Sequence, residues 1–154
     1  MKVRVLRVGG GRCDWADVAV AEWKKRLVRG LKVEEVDVAP EPYRGDVERV
    51  RTVESERIAR QLKPRDRLVV FDERGEALTT EGFRNLVSVG RADGDLVLAL
   101  GGGWGHSEAL RARAWRVVRL SDLVLAHDVA RVVLWEQLYR TWTMEQGGPY
   151  HHEG

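Results

Sequence analysis

Apolar positions along this chain alternate between two spacings. Val3 to Val8, Lys32 to Val38, Arg67 to Phe71, Asp95 to Leu100 and Trp115 to Leu120 are short runs of strand length, several of them apolar on nearly every residue. Between them, Asp14 to Leu27, Asp46 to Leu62, Thr80 to Val89, Ser107 to Ala114 and His127 to Gln146 carry apolar residues at helical spacing. Asp14 is a candidate N-cap for the first helix, and Ser107, with Glu108 in the first turn behind it, for the fourth. Pro40 and Pro42 make 39–45 a loop, since proline neither donates to a ladder nor continues a helix. Pro64 stops the second helix, a loop is expected around Gly75, and Gly147, Gly148 and Pro149 end the last helix. Strands buried on both faces and alternating with helices predict the α/β class, a parallel sheet flanked by helices. With no internal repeat and no linker, residues 1–154 read as one domain.

The last helix is apolar over more of its circumference than one sheet can cover. At about 100° per residue, Val132, Leu134, Trp135, Leu138, Tyr139 and Trp142 fill one broad arc, and Val129, Val133 and Met144 extend it. Burial against a second copy of the chain is the expected resolution; burial within its own domain is the alternative. Arg131 falls inside this arc, so its guanidinium needs a carboxylate, a phosphate or ordered water.

Composition narrows the function. Hydrophobic residues make up 44% and charged residues 32%, a globular balance, and the longest uncharged apolar stretch, Leu96 to Leu100, is far too short to cross a bilayer. Arg4 and Arg7 interrupt the N-terminal apolar run, so a cytoplasmic protein is expected rather than a secreted one. Cys13 is the single cysteine, which excludes a disulfide within the chain and a cysteine-rich zinc site. His151 and His152 alone are too few ligands, so no metal is expected. A net charge of +2 permits a polyanionic partner without requiring one.

Three segments carry candidate chemistry. LALGGGWGH at 98–106 leaves a strand and opens a helix, where α/β sheets bind ligands, and glycine allows backbone to approach a ligand closely. It is a poor dinucleotide fingerprint, because His106 occupies the sixth position of the GxGxxG frame and the run follows the fourth strand, not the first. A nucleotide-binding oxidoreductase nevertheless stays open as an alternative. LSDLVLAHDVAR at 120–131 is another strand end entering a helix: Ser121 and Asp122 either cap or bind, and Leu123 to Ala126 form an apolar loop suited to a purine face. In the tail, GGPYHHEG, Tyr150 is able to stack on a base and His151 to exchange a proton near neutral pH.

Taken in order, VVFDERG at 69–75, LGGGWG at 100–105, LSDLVLAHDVAR at 120–131, EQLYR at 136–140 and PYHHE at 149–153 resemble the ribosomal RNA large subunit methyltransferase H family of the SPOUT superfamily. The resemblance implies a homodimer whose C-terminal half, about 68–146, forms a trefoil knot, with 147–154 as a tail. It implies S-adenosylmethionine as cofactor and N3 of a pseudouridine in large-subunit ribosomal RNA, within the assembled ribosome, as the methyl acceptor. Matched residue by residue, Phe71, Gly102, Ser121, Asp122, Leu123, Val124, Leu125 and Ala126 would hold the cofactor, and Arg131, Tyr150 and His151 would serve the reaction. His127, Glu136, Tyr139 and Arg140 match the family's helix motif. Val124 stands where the family usually has threonine, His152 where it usually has a basic residue, and Gly103 with Trp104 is an unusual pair for the glycine run. A non-catalytic ribosome-associated factor on the same fold is the third possibility those departures leave open.

Overall fold

The computed structural model describes residues 1–150. Its order is β1 (Val3–Val8), α1 (Asp14–Leu27), β2 (Val33–Val38), α2 (Val47–Ala59), β3 (Arg67–Ala77), α3 (Thr80–Gly90), β4 (Leu96–Leu100), α4 (Glu108–Arg113), β5 (Arg116–Arg119) and α5 (His127–Glu145). The strands form one five-stranded sheet in the order β2-β1-β4-β3-β5, and every pairing is parallel.

Strand alternation sorts the core into two layers. Val3 and Val5, Val69 and Phe71, and Leu96, Leu98 and Leu100 join one apolar cluster with α1, α3 and α5. Leu6 and Val8, Leu68 and Val70, and Val97 and Ala99 point the other way, toward Ile58 of α2 and Leu110 of α4. The sheet is therefore covered on both faces, which is why its strands are apolar nearly throughout. β1, an inner strand of the sheet, also buries two arginines, one on each face. Arg4 donates to the Gln61 carbonyl at 2.7 Å and pairs with Asp66, while Arg7 donates to the Gly11 carbonyl at 2.6 Å and faces Asp37 at 3.5 Å.

Two local features depart from the sequence reading. β3 does not stop at Phe71: after an irregular stretch it rejoins β5 with Glu76 opposite Val118 and Ala77 opposite Arg119. Gly75 lies within this bulge, where a Cβ would stand 2.6 Å from the Val118 backbone. Asp14 is not the cap of α1: that place belongs to Cys13, and Asp17 reaches back to accept the Cys13 N–H at 3.3 Å. The apolar breadth of α5 is used inside the chain in part: Leu134, Trp135 and Leu138 are buried and the Trp142 ring lies where a side chain at Gly30 would be, while Val132, Val133, Tyr139 and Met144 stay half-buried and Val129 exposed.

One connection shapes the functional end of the molecule. β5 lies at one edge of the sheet, yet α5 packs against α1, on the side of β1 and β2. Residues 120–126 therefore cross the C-terminal ends of the intervening strands, and at the end of the crossing the His127 Nε2 meets the Val8 carbonyl at 2.8 Å.

Because Val118 is itself a ladder residue, neither backbone is free to retreat from a side chain at Gly75. Gly75→Ala is expected to lower the free energy of unfolding by about 2 kcal/mol or more, the range for forced overpacking. A urea melt with an unchanged midpoint would contradict this close approach.

Candidate functional site

β4, β3 and β5 are neighbours, so the C-terminal ends of β4 and β5 and the irregular stretch within β3 bring three chain segments to one place. These are Phe71 to Arg74, the glycine run Gly101 to Gly105, and the crossing segment that begins at Leu120. Together they line a cavity of about 480 Å³, within the range of small-molecule sites, completed by Arg51 of α2 and by His127 and Ala130 of α5. The glycine run and the serine-led loop thus form two walls of a single cavity.

Each wall is fixed by contacts made far away in sequence. A Cβ on Gly102 would stand 2.9 Å from Glu54 Oε1, and Glu54 is itself buried and anchored where its Oε2 accepts the Glu41 N–H at 3.0 Å. Only glycine lets the turn settle this closely onto α2. Toward the C-terminal end of the turn, Arg51 Nε donates to the Trp104 carbonyl at 2.7 Å, and just beyond it Ser55 Oγ accepts the Ser107 N–H at 2.9 Å. In the crossing segment Ser121 Oγ accepts the Leu123 N–H at 2.9 Å, a local turn that leaves the Leu123 and Val124 side chains exposed. Arg119 secures the segment's start, donating to the Gly75 carbonyl at 2.7 Å and to Asp122 at 2.8 Å.

Charges at the mouth are matched. Burial works to raise the Asp72 carboxyl, but hydrogen bonds from Arg74 and the charge of Arg111 outweigh it and hold the group below its ordinary range. Beneath the turn, His106 is buried against Gly101, and desolvation pulls it down to about 4. The imidazole is neutral near pH 7 and supports the turn without adding charge to the cavity.

The site residues expected from sequence divide into three groups. Phe71, Gly102, Ser121, Leu123, Val124 and Leu125 line the cavity. Asp122 and Ala126 do not: Asp122 pairs with Arg119, and Ala126 is the residue from which α5 starts. Arg131 is buried in a different seam, where it clamps Glu35 through Nε at 2.9 Å and Nη2 at 2.8 Å and donates from Nη1 to Asp17 at 2.6 Å. Against the effect of burial, the hydrogen bonds from Arg131, Lys24 and Trp135 bring Glu35 to about 2. The anion that Arg131 needs is thus a carboxylate of β2. Tyr150 also lies off the cavity wall; its hydroxyl donates to Glu136 at 3.1 Å and its ring packs edge-on to Tyr139. His151 lies outside the described residues.

Arg51 and Arg119 are wall residues that sequence reasoning passed over, while Arg74 and Trp104 stood within the quoted motifs without an assigned role. One sign of α2's involvement was readable, since Val50, Glu54 and Ile58 share a helix face and put a carboxylate on its apolar stripe. Among the described residues no group of three potential metal ligands occurs, and no helix is long and apolar enough to cross a membrane.

Comparison with known proteins agrees with this architecture. The family model described as "Predicted SPOUT methyltransferase" matches residues 1–151. Ribosomal RNA large subunit methyltransferase H of Variovorax paradoxus (strain S110) is 42% identical over 156 residues, covering 99% of this chain and 100% of the relative. The protein of the same name from Geobacter sp. (strain M21) is 37% identical, and that from Pelobacter propionicus 39%, each again spanning 99% of this chain and 100% of its own length.

The neutral imidazole under the turn gives stability a pH dependence. Its folded value of about 4 lies below the ordinary 6.5, so the unfolded chain binds the proton first as pH falls. Stability is fully present above pH 6.5 and declines as pH drops toward 4. His106→Leu is expected to flatten the change in urea midpoint between about pH 7 and about pH 5. An identical slope in the variant would mean that other groups carry it.

Proposed function

The chain belongs to the SPOUT methyltransferase family, and from that premise we propose that it transfers a methyl group from S-adenosylmethionine to large-subunit ribosomal RNA. The acceptor in this reading is N3 of a pseudouridine in the assembled ribosome, and the working form is a cytoplasmic homodimer. One observation carries the proposal: the glycine turn and the serine-led apolar loop face each other across a cavity of about 480 Å³ at the strand ends.

The residues present suit the cofactor. Phe71 and Leu123 offer apolar surface for an adenine, and Gly102 and Leu125, also in the cavity wall, would hydrogen-bond the cofactor through their backbone groups. Glycine at 102 keeps that wall free of a Cβ. Bound there, S-adenosylmethionine would supply an electrophilic sulfonium methyl, so the protein's main task is to align the acceptor and exclude water. An imide nitrogen attacks well only after losing its proton, and a base typically contributes about a hundredfold or more. His151 is assigned that task, with Tyr150 beside it, on the match of the tail to the family motif. Arg131 enters as a positioning residue, because its clamp on Glu35 and Asp17 fixes α5 and hence the end of the crossing segment.

The trefoil knot belongs to the same reading and is supported by the passage of residues 120–126 over the strand ends to His127. The homodimer is supported by the apolar side chains left exposed beside the cavity, Leu123 and Val124, and on α1, Trp15 and Val18. The names of these relatives support ribosomal RNA as the acceptor.

With labelled S-adenosylmethionine, the purified protein is expected to methylate ribosomes and hardly to methylate short RNA. Mass spectrometry of ribosomal RNA from a deletion strain should show one methyl group lost. An unchanged pattern would favour a non-catalytic ribosome-binding role, and calorimetric binding of NAD but not S-adenosylmethionine would favour an oxidoreductase. Deleting residues 149–154 is expected to abolish transfer while affecting cofactor affinity much less; equal loss of both would make the tail structural.

A further inference from the structure

Trp104 stands in the glycine turn but belongs to neither apolar cluster of the core. Its ring pairs with Tyr43 instead, with centroids 5.0 Å apart and planes tilted by 31°. Both side chains are open to solvent, Trp104 at 44% and Tyr43 at 53%. Two aromatic rings that cover each other only in part, at the rim of a ligand cavity, are a surface with something still to bind.

The backbones on which they stand are pinned independently. Trp104 is held where its carbonyl accepts from Arg51 Nε at 2.7 Å. The loop bearing Tyr43 is held through Glu41, whose N–H donates to buried Glu54 and whose carboxylate accepts from Arg57 at 2.8 Å and Arg49 at 3.2 Å. Arg57 also donates to the Ala39 carbonyl at 3.0 Å, and Pro42 stiffens the residue before Tyr43. Glu54 sits beneath both loops, accepting the Glu41 N–H on one side and abutting Gly102 on the other. The ordering cost of presenting the two rings is thus met before any ligand arrives.

The surroundings indicate the ligand's chemistry. Arg51, Arg74 and Arg119 line the cavity that Trp104 borders, each paired with a carboxylate (Glu48, Asp72 and Asp122), and Arg44, exposed and in no ion pair among the described residues, adjoins Tyr43 in sequence. Flat aromatic faces among guanidinium groups suit a ligand of unpaired bases joined by phosphates, because stacking requires a free base face and cations favour the backbone. Duplex RNA keeps its base faces covered and fits poorly. Tyr43 is not part of the cavity wall, so the surface runs outward from the cavity.

We propose that the Tyr43–Trp104 pair is a stacking platform for an unpaired base of the substrate RNA, adjoining the nucleotide that enters the cavity. This rests on the reading of the chain as an RNA methyltransferase, and it adds a surface that engages the acceptor strand.

The test uses the full chain with S-adenosylmethionine present, and compares Tyr43→Ala, Trp104→Ala and Trp104→Phe with the parent. Fluorescence anisotropy reads binding of a short labelled single-stranded RNA and of the same sequence as duplex. Each alanine variant is expected to weaken single-strand binding about tenfold, in the range for one stacked base. Trp104→Phe should recover most of that loss, and duplex binding should hardly change. With ribosomes as substrate, Tyr43→Ala should raise KM far more than it lowers kcat, and its cofactor affinity by calorimetry should equal the parent's. Unchanged single-strand binding in both alanine variants overturns the platform. So does parallel loss of cofactor affinity in Tyr43→Ala, which would make the pair a prop for the glycine turn. A change of oligomeric state in either variant overturns it too, since a second chain would then occupy the surface. RNA binding is read here without methyl transfer, so a parent chain that binds RNA through these rings but methylates nothing upholds the platform and overturns the proposed reaction.

Discussion

The clamp of Arg131 on Glu35 and Asp17 is the interaction on which the functional end of the molecule depends. It joins α5 to β2 and α1 in a buried seam, with Trp135 and Lys24 completing the hydrogen bonds of Glu35. Removing one member of such a pair leaves a buried charge uncompensated, which is far costlier than never having buried it. The clamp lies one turn into α5, and the helix begins where the crossing segment ends. Fixing that turn fixes the position of Leu125 and Ala126 relative to the strand ends. The cavity's second wall is therefore set by an ion pair that does not touch the cavity.

A similar economy operates at the first wall. The glycine turn has little side chain of its own, so its shape comes from what it rests on: Glu54, Ser55 and Arg51 of α2 on one side and His106 beneath. α2 looks from its sequence like a charged surface helix, yet it acts as the mould for the turn. Arg119 then ties the second wall to the sheet, since the same guanidinium holds the β3 bulge at Gly75 and the loop at Asp122.

What was legible in the sequence followed from local physics. Val3 to Val8 and Asp95 to Leu100 read as strands because both sheet faces are covered, and the glycine and serine segments read as strand-end loops because the pattern breaks there. What was missed depended on distant partners. DERGEA, at 72–77, has no apolar period to mark a strand, and its return to β5 is made by backbone pairing that glycine alone permits. Arg51 and Trp104 meet across more than fifty residues, and nothing near either position announces the other. The breadth of α5 was visible, but the partner that covers Trp142 turned out to be a glycine at the end of the chain's own first helix, a residue whose signal is only the absence of a side chain.

The all-parallel order also dictates when the pocket comes into being. Strands that run the same way cannot be joined by a tight hairpin, so each pairing waits for a crossover. β1 pairs with β4 across roughly ninety residues, and β5 with the crossing segment is added only after the other four strands exist. During synthesis, chain lengths that already hold the glycine turn still lack its opposing wall. A growing polypeptide therefore lacks one wall of the cavity until α5 has emerged and docked, so the cavity is a late product of folding and no aid to its early steps.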